Sequence, residues 1–171
     1  MSALDRVRAL QRDCVEAAFA EVCASASLRD RGLCVTTGAS SSERAREIEA
    51  RSTARRLADC IDDVPLEPGA YVGSTLVIEE ADGVGRAVHP SAGVLLVALV
   101  IHVRPDGVTA STQATHFMLF DRTLHTMERP LPGALEDVTR AMIVQHVLDA
   151  LTFFALHAMS LTSPFAGGTD A

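Results

Sequence analysis

The sequence predicts an α+β domain in which N-terminal helices and a long C-terminal helix pack on an antiparallel sheet. Both ends of the chain repeat apolar residues at three- and four-residue steps, the mark of helices packed on one side. The middle instead carries β-branched runs separated by turn residues. The stretch "RPDG" at 104–107 joins two such runs as a hairpin: Pro105 presets the turn, Asp106 hydrogen-bonds local backbone and Gly107 tolerates positive φ.

The elements follow in order. Over residues 4–24, Leu4, Val7, Leu10, Cys14, Val15, Ala18, Phe19 and Val22 form one helical stripe. A short strand is expected at 33–36, closed by Gly38 and a serine cluster suited to loop and N-cap. A second, surface-lying helix is expected over 43–61, with Ile48, Ala54, Leu57, Cys60 and Ile61 as a thin apolar stripe, ended by "DDVPLEPG". Strands are expected at 70–79, 93–104, 109–121 and 123–127.

A helix over 133–161 closes the chain, carrying Leu135, Val138, Ile143, Val147, Leu151 and Phe154 among its apolar residues. Gln145, His146, Asp149 and His157 interrupt its longest apolar stretch, so it reads as a core or partner-facing helix and not as a membrane span. The whole is read as a single domain, 1–171: a core at 4–131, a helical extension at 133–161 and a flexible tail at 162–171.

The hairpin's register assigns its faces. With Val103 opposite Val108, Leu95, Val97, Leu99, Ile101 and Val103 share the core face with Ala110, Ala114, His116 and Met118. The other face is polar near the turn, with His102, Arg104, Thr109, Ser111 and Gln113, but apolar at its far end, at Val94, Leu96, Val100, Phe117 and Leu119. A free sheet surface alternates cleanly into water, so this half-apolar face calls for a second covering layer. A partner chain seated on those five residues is the first candidate for that layer, and the C-terminal helix is the second.

Composition narrows function. The net charge of -7, the absence of Trp and the single Tyr argue against direct nucleic-acid binding. All fifteen cationic side chains are Arg, which excludes a lysine Schiff base and a P-loop lysine. Cys14, Cys23, Cys34 and Cys60 form no close pair, so buried free thiols are expected, with no metal and no cofactor. "MSALDRVRALQRDC" lacks the apolar core of a secretory signal, which points to an intracellular protein, cytoplasmic or nuclear.

His116, in an apolar face, is the candidate general base, against the alternative of a core histidine hydrogen-bonded inside. His102 points to the opposite face, roughly 24 Å along the strand, too far for a shared metal. The adjacent carboxylates Asp62–Asp63, Glu79–Glu80 and Glu136–Asp137 read as solvated ends or as charge at a helix N-terminus. "ADGVGRA", between strands, reads as a turn.

The segments "ARRLADCIDDVP", "HPSAGVLLVALVIHVRPDG" and "STQATHFMLFDRTLHTMERPL", in this order, resemble the nuclear transport factor 2-like superfamily across residues 4–131. Within it the nearest likeness is the small subunit of the messenger-RNA export receptor. The resemblance implies a curved, cone-like sheet and pairing through its outer face, itself or a related chain being the partner. It makes the first functional expectation a non-enzymatic dimerising module, an adaptor in nuclear transport. The alternatives are a small pocket enzyme of the same superfamily, an isomerase, dehydratase or hydrolase using a His/carboxylate pair, and an acidic secretion-type chaperone homodimer.

Overall fold

A computed structural model describes residues 1–30, 33–38, 43–80, 93–118 and 122–162, without the side chains of 43, 44, 80 and 155–162. The chain opens with a helical rod in which α1 (Ala3–Leu10), a π-helical turn (Gln11–Glu16) and α2 (Ala17–Cys23) follow one another in right-handed geometry. Ser2 starts it with a capping box: its hydroxyl accepts from the Asp5 N–H at 3.1 Å, and the Asp5 carboxylate accepts from the Ser2 N–H at 2.8 Å. A short α3 (Ala26–Asp30), β1 (Leu33–Thr37) and α4 (Glu43–Ala50) follow. Then come β2 (Arg55–Arg56), β3 (Gly69–Glu80), β4 (Gly93–Arg104), β5 (Gly107–Met118), β6 (Leu124–Pro130) and α5 (Arg140–Thr162).

The six strands form one curved sheet in the order β1-β3-β4-β5-β6, with the two-residue β2 lying parallel beside β3 and the other pairs antiparallel. The expected α+β architecture is therefore present. The hairpin has the expected register, with Val103 opposite Val108 and Val94 opposite Phe117. β6 continues the meander, with Gln113 opposite Glu128.

On the core face, Val7, Val15 and Phe19 of the N-terminal rod and Ile143, Val147 and Phe154 of α5 enclose Leu76, Val97, Leu99 and Ile101 of the sheet. Burying each such side chain contributes about 1.5–3 kcal/mol, which makes this layer the main source of stability. The C-terminal helix thus joins the N-terminal helices on one face. Ala45 and Ile48 of α4 cover part of the other face, packing with Val77, Val94, Leu96 and Phe117 in a separate cluster.

Two expected helices are shorter than the periodicity suggests. The one expected over 43–61 stops at Ala50, because the Ser52 hydroxyl accepts from the Ala54 N–H at 3.3 Å and diverts the backbone. Arg55 and Arg56 then pair with Tyr71 and Val72. The helix expected from 133 begins at Arg140. Leu135–Asp137 form a 3-10 turn instead, and Thr139 Oγ1 accepts from the Met142 N–H at 3.4 Å as the actual cap. Glu136 and Asp137 therefore sit on that turn and not at the helix start. β6 runs to Pro130, beyond the expected 127.

The four cysteines are free, but Cys34 is exposed and the others are half-buried, which corrects the expectation of buried thiols. Its small strand carries Cys34 on an outward-facing position. Among the described residues no helix is long and apolar enough to cross a membrane. Leu119, "ADGVGRA", His89, the serines before α4 and the tail from 163 lie outside the described residues.

Candidate functional site

A cleft of about 590 Å³ opens on the sheet face that carries α4, a size suited to a small molecule, for which sites run roughly 300–1,000 Å³. Its floor is made by alternate residues of four strands, among them Val72, Thr75, Ala98, Val100, Gln113 and Thr126. One wall is the end of α4 with the following segment, from Ile48 to Ala58. Ion pairs hold that wall: Arg51 with Glu47 at 2.8 Å and Arg56 with Glu49 at 2.8 Å. Arg51 also lies over the Phe117 ring, 5.6 Å from its centre, and so fastens the end of α4 to the sheet.

At one end of the floor three side chains from three neighbouring strands converge. Glu128 Oε1 accepts from the Ser111 hydroxyl at 2.6 Å and lies 3.0 Å from His102 Nε2, while His102 Nε2 is 3.1 Å from Ser111 Oγ. The sheet explains this meeting. Ser111 and Glu128 are diagonal neighbours on one face of the β5–β6 pair, within reach of a long carboxylate, and His102 stands on the same face of β4.

The hydrogen bonds assign the roles. The Ser111 proton goes to Glu128, so its oxygen offers a lone pair, and the proton on His102 Nε2 is shared between the serine oxygen and the carboxylate. Ser111 is only 3% exposed. A serine nucleophile needs its oxygen open to substrate, so at this burial Ser111 is a support and not a nucleophile. His102 and Glu128, with side chains 28% and 45% exposed, are the members that a ligand can touch. The Ser111 hydroxyl, and after it His102, hold the Glu128 carboxyl below the usual carboxylate range, so it is an anion at neutral pH.

The expected site residues are distributed differently. His116 is 8% exposed on the opposite face, its ring 5.0 Å from that of Phe154 on α5, and it does not line the cleft. His116 therefore stands on the helix-covered core face where strand alternation put it in the sequence, away from the cleft. Val94 and Phe117 are buried under α4, Leu96 lies between that cluster and the cleft, and Val100 belongs to the cleft floor. The covering layer on the apolar end of this face is the chain's own α4, neither of the two layers first considered.

His146 belongs to a second polar cluster, on the core side. Its Nδ1 is 2.9 Å from Thr112 Oγ1, and Arg129 of β6 is paired with Asp149, which also accepts from Gln145 Nε2 at 2.7 Å. This cluster ties α5 to the sheet. No group of three or more His, Cys, Asp or Glu side chains suited to a metal occurs among the described residues.

Sequence reasoning placed His102, Ser111 and Gln113 on one face but did not find Glu128. The signal was available in β6, where Leu124, Thr126 and Glu128 alternate with His125, Met127 and Arg129. Pairing that alternation with β5 brings Glu128 to the polar end of the outer face.

Comparisons with protein-family models, curated proteins and solved structures found no match to this chain.

Proposed function

We propose that the protein binds a small polar molecule in the cleft and that the His102–Glu128 pair exchanges a proton or a charged hydrogen bond with it. The observation that carries this reading is the juxtaposition of that pair with a cleft of about 590 Å³. A histidine oriented by an ionised carboxylate is the usual composition of an acid/base pair, and here it faces a space that a ligand can enter. The reading agrees with the pocket-enzyme alternative implied by the nuclear transport factor 2-like resemblance, with His102 in the role first given to His116.

A thermal-shift screen with small carboxylic acids, amines and polyols tests it. At least one compound is expected to raise the Tm of the wild-type chain by several degrees, and to lose that effect in Glu128→Gln and His102→Ala. If no compound raises Tm or moves the amide signals of Ala98 and Gln113 on the cleft floor, the reading is wrong.

Self-association is a second reading, supported by α5. Met142, Leu148 and Phe153 are large apolar residues exposed on its outer side. It keeps a second copy of the chain as partner but moves the contact from the sheet face to this helix.

A further inference from the structure

The cleft extends past the outer face of the sheet to the N-terminal helical rod. β1 pairs with β3 only as far as Thr37 opposite Leu76, and β2 only as far as Arg56 opposite Val72, which leaves Gly73 to Thr75 along a gap between them. Gly38, at φ +90°, closes one side of the gap. Its N–H donates to the Thr75 carbonyl at 3.0 Å and its carbonyl accepts from Thr75 Oγ1 at 2.9 Å.

Within the gap β3 shifts register between Val72 and Thr75, so it holds one residue more than β4 there. The bulge brings Ser74 Oγ to 3.4 Å from Glu16 Oε1, and a Cβ added at Gly73 would lie 3.1 Å from Gln11 Oε1 and 3.3 Å from Leu99 Cδ2. Gln11, Gly73 and Ser74 line the same cleft as His102 and Glu128.

An unused acceptor lies at the bottom of this notch. Gln11 Oε1 is buried with no hydrogen-bond partner among the described residues, while its Nε2 donates to Glu16 Oε1 at 3.4 Å. Reversing the amide would set two oxygens against each other, so Glu16 fixes which atom faces the notch. The π-helical turn makes this possible, because its i→i+5 repeat sets Gln11 over Glu16. A buried acceptor left without a partner is costly to a fold unless something else satisfies it.

We infer that the notch is a subsite for a hydrogen-bond donor of the ligand, a hydroxyl or N–H group held by Gln11 Oε1. The inference rests on the cleft being a ligand site, as proposed above. It also specifies the ligand's shape. Thr75, Ala98, Gln113 and Glu128 form one cross-strand row, so Glu128 lies three strand spacings from β3, about 14 Å. The ligand is elongated, with its donor at the notch and a second polar group at His102 and Glu128.

The test titrates the isotope-labelled full chain with 8-amino-1-octanol, whose amine supplies the second polar group for Glu128, and with its methyl ether, which lacks the hydroxyl donor. The alcohol is expected to move the Gly73 backbone amide and the Gln11 side-chain amide signals and to bind about tenfold more tightly than the ether. Gln11→Leu should bring the alcohol to the ether's affinity without lowering Tm, since it removes an unsatisfied acceptor. Gly73→Ala, which crowds Oε1, should also bring the alcohol to the ether's affinity. Equal affinity of the two probes overturns the subsite, as do signals that move at Gln113 and His102 while Gln11 and Gly73 stay silent, and the last result leaves the cleft reading standing. Signals that move nowhere in the cleft overturn both.

Discussion

His102 and Glu128 stand on strands separated by a third, yet His102 Nε2 lies 3.0 Å from Glu128 Oε1 because Ser111 of the intervening strand fills the space beneath them. Ser111 donates to the carboxylate at 2.6 Å, and this bond is the first cause of the lowered Glu128 pKa.

Ser111→Ala should therefore raise the Glu128 pKa toward the ordinary value of about 4.3, as read from its side-chain carboxyl carbon signal in an NMR titration. Because the folded pKa is depressed, the stability it contributes is present above the unfolded value and is lost as pH falls through the folded one. In the variant that acid loss should be smaller. An unchanged Glu128 titration would mean that the serine does not hold the carboxylate.

Phe117 is 2% exposed beneath α4, in contact with the cluster that includes Ile48 and Leu96. Phe117→Asp should therefore destabilise the chain itself by at least about 3 kcal/mol, seen as a lower midpoint in urea unfolding. A variant with wild-type stability and a halved solution mass would instead return this patch to the role of a subunit interface.

The hairpin was legible because "RPDG" fixes its register, and register alone decides which side chains share a face. What covers the outer face was not, because among the described residues α4 adds just Ala45 and Ile48 to its apolar cluster, and Ser52 ends the helix before the rest of the expected stripe. The His102–Glu128 pair needed the register of β6, whose connection from Met118 carries no tight-turn signature. Gln11 and Gly73 meet through a π-helical turn and a β-bulge. Each is a one-residue irregularity, and hydrophobic periodicity averages over such insertions.

The exposed side of α5 separates the two functional readings. Leu148→Glu replaces an exposed apolar residue, so in a monomeric chain it should leave Tm within about 1 °C of wild type, whereas loss of a dimer contact lowers a concentration-dependent Tm. Light scattering after size exclusion decides the point. A dimeric wild type that becomes monomeric in the variant establishes α5 as the contact, whereas equal masses remove the self-association reading from this surface.

The clasp that holds α5 is expected to give stability its own pH dependence near neutrality. Burial, and then the Arg129 charge, push the His146 pKa below its ordinary value, although Asp149 acts in the opposite sense. The unfolded chain then binds a proton near pH 6.5 that the folded chain refuses, so it gains protons relative to the native state as pH falls. Stability should decline as pH drops from about 7.5 through 6.5, and continue to decline until the folded histidine itself protonates. Its Nδ1 lies 2.9 Å from Thr112 Oγ1, so Asn at this position can keep a polar partner for the threonine while removing the titration. In His146→Asn the Tm–pH curve should flatten over this window relative to wild type. If the two curves keep the same slope, another group governs the dependence, and His146 serves only as a neutral hydrogen-bond partner in the clasp.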